Sequence, residues 1–191
     1  MSAQTVPQFT HEEFLEHEVQ SNFRHEYKQG RVEMMAGGSR NHSLLITKAV
    51  RLLDIALDGR DCEVHSEAML VHIASANMST YPDTMVICGK PNFLDRRKSI
   101  VTNPILIVEV LSPSTENYDR SEKFRAYQQL PSLKEYALIS QNEALVEVFG
   151  RTDSGPWIRT EYRGFESSVK LESIGVEIPL NKLYEKVDWS Q

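Results

Sequence analysis
An α/β domain built on a mixed sheet is predicted from three observations. Between Asn41 and Leu57, apolar Leu45, Ala49, Leu52, Leu53 and Ala56 recur at three- and four-residue intervals, the period of an amphipathic helix. Three β-type segments follow, "CEVHSEAMLVHI", "TYPDTMVIC" and "PILIVEVLS", separated by stretches bearing Asn, Ser, Gly, Pro and Asp. A second helix, a strand and then further strands complete the order, which suits a mixed sheet with helices packed on it.

Each element has a local reason. "THEEFLEHE" opens with Thr10 as N-cap and Glu13 three residues on, the reciprocal arrangement that satisfies two free backbone donors at a helix start. "FRHEYKQGRVEMMAG" reads as two short strands turning at Gly30, and Gly37 and Gly38 then break the pattern ahead of the long helix. After the three core strands, Asp119 to Leu130 reads as a helix with Asp119 as N-cap, Glu122 three residues later, and Phe124, Tyr127 and Leu130 on its buried side. Pro131 ends it, because proline cannot continue the helical hydrogen bonds. "KEYALIS" and "ALVEVFG" form a strand pair across Gln141, Asn142 and Glu143, "WIRTEY" follows the turn-rich "TDSGP", and "VKLESIGVEIPLNKLYEKV" supplies a strand or two and a closing helical turn.

With 191 residues, 40% of them hydrophobic and 25% charged, the chain suits one domain over 1–191, with its core over about 41–140. The net charge of −6, without a run of like charges, disfavours a protein that grips nucleic acid or an anionic membrane by bulk electrostatics. It leaves open an enzyme that meets a phosphate through a bound divalent cation, since the ion then supplies the local positive charge. Cys62 and Cys88 make no disulfide framework and are expected as reduced packing residues. The N-terminus "MSAQTVPQFT" has no basic and apolar leader, and no apolar run reaches the roughly 18 residues of a bilayer span, so a cytoplasmic protein is expected.

Two carboxylates break the apolar pattern. Side chains alternate along a strand, so Ile105, Ile107, Glu109 and Leu111 share one face, and Tyr81, Asp83, Met85 and Ile87 share another. An acid among apolar neighbours persists when a cation or strong donor offsets its lost hydration. If the two strands are neighbours, Asp83 and Glu109 meet at one end of the sheet and form a natural Mg²⁺ or Mn²⁺ site, because hard cations take oxygen ligands. A single such acid most often snorkels to water or pairs with a Lys or Arg, and the coincidence of two leaves both readings open.

"YPD", the strand "IVEVLSPSTE" and the stretch "YDRSEKFRAYQQLPSLKEYALI" together resemble the PD-(D/E)XK nuclease superfamily, and more closely the Uma-two endonuclease family. The resemblance is densest from Tyr81 to Ile139 and extends back through "HEYKQGRVEMMAGGSRNHSLLI". It implies a restriction-endonuclease-like mixed sheet flanked by helices, with extra N- and C-terminal strands, and metal-dependent hydrolysis of phosphodiesters. It assigns Asp83, Glu109 and the main-chain carbonyl of Val110 to a Mg²⁺ or Mn²⁺ ion. The motif's lysine should stand at position 111, where this chain has Leu111; Lys123, from the following helix, is the matching substitute. A cation there can orient the attacking water and offset charge developing on the phosphorus oxygens. Glu26 matches a glutamate of the family's N-terminal element and is the candidate third acid.

Secondary candidates are His42, as a phosphate donor, and Glu67, placed in the first core strand; Arg96, Arg97, Lys98, Arg120 and Arg125 are candidate grips for a nucleic-acid backbone. His65 and His72 lack zinc spacing, and Ser112 and Ser114 lack the Gly-x-Ser-x-Gly turn of a nucleophile, so their loop reads as the lip of a cleft. The implied partner is nucleic acid, DNA in the first place, and a homodimer is the assembly by which paired sites would cut both strands of a duplex. The rival reading, favoured by Leu111 and the acidic charge, is a nuclease-fold module with weak or no catalysis that binds nucleic acid or serves in assembly.

Overall fold
Local chemistry sets where the first elements start in the computed structural model, which describes residues 8–35, 37–152 and 155–189. Thr10 Oγ1 accepts from the Glu13 N–H at 3.2 Å while Glu13 accepts from the Thr10 N–H at 2.7 Å, closing the expected capping box on α1 (His11–Gln20). β1 (His25–Lys28) and β2 (Arg31–Met34) form a hairpin whose two turn residues, Gln29 and Gly30, both have positive φ, as a tight two-residue connection requires. Ser39 caps α2 (Arg40–Ala56) by accepting from the His42 N–H. Leu45, Ala49 and Leu53 are buried on the inward face of α2, in keeping with its period.

The strands that follow are β3 (Cys62–Ser66), β4 (Leu70–Ile73), β5 (Met78–Thr80), β6 (Thr84–Cys88), β7 (Ile100–Val101) and β8 (Leu106–Val110). Helical structure then runs through α3 (Glu116–Tyr118), a π-helical turn at Asp119–Lys123 and α4 (Phe124–Tyr127). β9 (Glu135–Ile139), β10 (Leu145–Arg151), β11 (Trp157–Arg163), β12 (Ser168–Leu171), β13 (Val176–Pro179) and α5 (Leu180–Leu183) complete the order. The six-stranded sheet runs β11-β10-β9-β8-β6-β3 and is mixed: β8 and β9 are parallel, the other pairs antiparallel. A second sheet, β2-β1-β5-β4-β7, carries the N-terminal hairpin, and β12 pairs with β13 alone.

Strand alternation gives the six-stranded sheet two covered faces. Val86, Leu106, Val108 and Val110 pack with Leu45, Ala49 and Leu53 of α2 and with the β12, β13 and α5 tail. Met85, Ile87, Ile107 and Leu111 pack with Tyr127, Leu130 and Tyr136 on the other side, together with Val71 and Ile73 of the second sheet. Each fully buried leucine or isoleucine here contributes about 1.5–3 kcal/mol. Glu109 lies on that second face.

Four expectations are corrected. The segment "CEVHSEAMLVHI" is two strands in two different sheets, parted at 67–69, so Glu67 stands in the connection and not in a strand. "TYPDTMVIC" is likewise split into β5 and β6, with Asp83 immediately before β6. Asp119 is no N-cap: helical structure begins at Glu116, and Asp119 lies buried inside it. Cys62 and Cys88 face each other in the β3–β6 register and are joined as a disulfide, since cross-strand pairing brings the two sulfurs together. Residues 1–7, which carry most of the N-terminal stretch read as lacking a leader, and Asp153 and Ser154 of the expected turn lie outside the described residues. Among the described residues no helix is long and apolar enough to cross a membrane.

Candidate active site
Pairing of β6 with β8 puts Thr84 opposite Val108, so the residue before β6, Asp83, comes level with Glu109. The two acids interlock through the backbone. The Val110 N–H donates to Asp83 Oδ2 at 2.7 Å, and the Asp83 N–H lies 3.3 Å from Glu109 Oε2. Both carboxylates, with Glu26, His42, Tyr118 and Lys123, line a cavity of about 450 Å³ at the meeting of the two sheets.

Each acid has a basic side chain beside it. Lys123 is 6% exposed and its Nζ lies 2.8 Å from Oε1 of Glu109, which is 2% exposed; Glu26 Oε1 and Asp119 Oδ1 lie 3.6 Å from the same nitrogen. On the other side His42 Nε2 lies 3.4 Å from Asp83 Oδ2. Gly38 makes room for that imidazole, because a Cβ there would stand 2.6 Å from His42 Nδ1. Asp119 and Lys123 belong to the π-helical turn, a local irregularity that often marks functional positions.

The electrostatics follow from burial and neighbours. Burial, reinforced by the charges of Asp83 and Asp119, raises the Glu109 carboxyl above its ordinary range, although Lys123 pulls the other way. Burial likewise raises Asp119, with Lys123 opposing. Burial alone would raise Glu26, yet the charges of Lys123 and Lys28 and hydrogen bonds from Thr80 and Lys28 bring it below its usual value. For Lys123 burial favours loss of the proton, but Glu109, Glu26 and Asp119 outweigh it and hold the ammonium charged. Burial works against the charged form of His42, and a hydrogen bond and the charge of Asp83, with Glu67 and the Val110 backbone, raise it overall.

The structure therefore brings Asp83, Glu109, Val110, Lys123, Glu26 and His42 around one cavity. Glu67 is exposed; its backbone N–H donates to the Asp83 carbonyl at 3.4 Å, and its side-chain charge acts on His42. Arg120 is tied to Glu116 at 3.0 Å and to buried Glu147, whereas Arg96, Arg97, Lys98 and Arg125 are exposed. Three further residues belong to the site. Tyr127 Oη donates to Glu109 Oε1 at 2.8 Å; Gln141 accepts from Ser39 Oγ and donates to the Leu111 carbonyl, both at 2.6 Å, tying the start of α2 to the end of β8. The Tyr118 hydroxyl is buried among the cavity walls and has no hydrogen-bond partner among the described residues. A signal for Tyr127 lay in the spacing of Asp119, Lys123 and Tyr127, which repeats a polar group every four residues along one helical face; Tyr118 and Gln141 carried no such signal.

The donor set fits a hard divalent cation. Two carboxylates and a main-chain carbonyl are all oxygen, and the unpartnered Tyr118 hydroxyl leaves a further polar group for an incoming ligand.

A family model described as "Uma2: Putative restriction endonuclease" matches residues 11–181. The uncharacterized proteins slr1290 and sll1609 of Synechocystis sp. are each 36% identical to this chain, over 179 residues (93% of this chain, 92% of the relative) and 171 residues (90% and 97%). The crystal structure of "a putative nuclease belonging to DUF820" from Anabaena variabilis matches with a TM-score of 0.74 at 17% identity, covering 92% of this chain and 97% of the other. That likeness carries the fold.

Proposed function
The chain belongs to the Uma2 family and has a restriction-endonuclease-like fold, and from that premise we propose that it is a metal-dependent endonuclease acting on nucleic-acid phosphodiesters, DNA in the first place. The observation that carries the reading is the convergence of Asp83 and Glu109 from adjacent strands, with the Lys123 ammonium 2.8 Å from Glu109. Asp83, Glu109 and the Val110 carbonyl are the residues that would hold Mg²⁺ or Mn²⁺. Bound there, the ion would supply Lewis-acid stabilisation of the phosphate oxygens and a lowered pKa for an attacking water.

The chain's own groups supply the rest. Lys123, kept charged by three acids, orients water and offsets negative charge as it develops in a site shielded from solvent. Tyr127 fixes the Glu109 rotamer, and Glu26, held by Thr80 and Lys28, fixes the position of Lys123 from the second sheet. His42 stands at the other rim as a donor to a non-bridging oxygen. With Arg120 engaged by carboxylates, backbone contacts fall to exposed Arg125 and to the basic stretch 96–98.

The test is cleavage of double- and single-stranded DNA and of RNA with Mg²⁺ or Mn²⁺. Asp83→Ala and Glu109→Ala are each expected to lower the rate about 100-fold or more, which is about 2.7 kcal/mol of barrier. Activity surviving the double substitution overturns the reading. Absence of cleavage together with no calorimetric Mn²⁺ binding that depends on these acids assigns the chain instead to non-catalytic binding or assembly.

A further inference from the structure
Away from the acid cavity, α1 and β1 bring together a second group of ligand-bearing side chains. His17 and Glu18 come from the last turn of α1 and His25 from the first position of β1. One ligand atom from each lies within 4.8 Å of the other two. His25 Nδ1 is 2.9 Å from Glu18 Oε2, and the rings of His17 and His25 meet edge to face with centroids 4.9 Å apart. None of the three lines the cavity of Asp83 and Glu109.

We propose that His17, Glu18 and His25 form a second divalent-cation site, selective for a borderline transition ion of the Zn²⁺ class, which clamps the end of α1 to the start of β1. Two imidazoles and one carboxylate are a nitrogen-rich set that favours Zn²⁺, Co²⁺ or Ni²⁺ over the Mg²⁺ suited to an all-oxygen site. Ligand atoms about 2.0–2.2 Å from a tetrahedral ion stand roughly 3–3.5 Å from one another, so small rotamer changes close the present spacing. The carboxylate is already oriented. Glu18 Oε1 accepts from the His25 N–H at 2.9 Å and from the Tyr81 hydroxyl at 3.0 Å, which turns Oε2 toward the imidazoles.

A Glu18–His25 pair suffices to join the two elements by hydrogen bonding, but it gives no role to the exposed His17 ring beside it. Coordination uses all three. The fourth position stays open to water, and exposure of His17 gives the ion a route in. Through Tyr81, which also lines the acid cavity two residues before Asp83, a loaded clamp would brace the approach to the catalytic strand.

The experiment uses the full chain carrying Asp83→Ala and Glu109→Ala, so that its outcome does not depend on the endonuclease reading. Co²⁺ is added and the visible bands of tetrahedral Co²⁺ are followed, with Zn²⁺ as competitor. One Co²⁺ per chain is expected, displaced by Zn²⁺, with affinity falling about tenfold or more in His17→Ala and in His25→Ala. Thermal unfolding should rise with Zn²⁺ in the wild-type and Asp83→Ala/Glu109→Ala proteins, and much less in His17→Ala, whose exposed side chain is dispensable for folding. Co²⁺ binding that is absent from the Asp83→Ala/Glu109→Ala protein, or unchanged by both histidine substitutions, overturns the site.

Discussion
Lys123 Nζ lies 2.8 Å from Glu109 Oε1, so the helix after β8 delivers the ammonium that the strand itself lacks at Leu111. Leu111 packs instead among the apolar residues of the second core face, 5% exposed. Glu109, Glu26 and Asp119 all depend on the Lys123 ammonium, because a buried acid that loses its counter-charge bears the full cost of desolvation. Lys123→Met is therefore expected to destabilise the fold by about 3–5 kcal/mol in urea unfolding. Mn²⁺ should restore more stability to this variant than to the wild type, since it supplies positive charge to the same acids. An unfolding midpoint equal to that of the wild type would show that the ion cluster is energetically idle.

Tyr127 tests the same carboxylate from the other side. Its hydroxyl is fully buried and donates to Glu109 Oε1 at 2.8 Å. Tyr127→Phe removes one donor to a charged or strongly polar acceptor without changing the ring that packs against Tyr136. The expected loss is about 2 kcal/mol, or a fall of about 4–8 °C in Tm for a chain of this size. Calorimetric unfolding reads it directly; a shift under 1 °C would mean that water takes the place of the hydroxyl at no cost.

Much of this arrangement is legible before any coordinates, and the reason is geometric. The period-2 rule puts Glu109 on an inward face from its neighbours alone, and β6–β8 pairing then needs only the right register to bring Asp83 beside it. The long helix and the Gln29–Gly30 hairpin are equally local in origin. The break at 67–69 is not legible, because Glu67, Ala68 and Met69 carry none of the residues that usually mark a turn. Asp119 misleads for a related reason: an Asp followed by Glu at the third position has the pattern of a cap, and only tertiary burial reveals its carboxylate turned toward Lys123. Cys62 and Cys88 pair through strand register, which depends on the whole sheet.

That pairing makes a prediction of its own. The disulfide closes a sequence separation of 26 residues, which restricts the unfolded chain, while the β3–β6 ladder already holds the two residues opposite each other when folded. Reduction, or Cys62→Ser with Cys88→Ser, is expected to cost about 2 kcal/mol, seen as a Tm fall of about 4–8 °C. Identical melting with and without a strong reductant, in protein first shown by mass to be oxidised, would remove the bond from the list of stabilising contacts.

Mild acid is expected to destabilise the protein through His11 and His72. Their rings stack with centroids 4.1 Å apart, and both reach the hydroxyl of buried Ser79, at 2.8 Å and 2.9 Å. Neutral imidazoles suit this geometry, since one can donate to Ser79 and the other accept from it; protonation of both would set two charges face to face. Burial lowers His11, and burial with the neighbouring charge of His11 lowers His72 to about 4. The folded state thus binds fewer protons at His72 than the unfolded state between pH 6.5 and about 4, so stability must fall as the pH drops through that window. Above pH 6.5 the contribution is complete. His72→Gln keeps a polar side chain but cannot titrate, so its urea midpoint should fall less than that of the wild type between pH 7 and pH 4.5. Parallel pH profiles for the two proteins would place the acid sensitivity elsewhere in the chain.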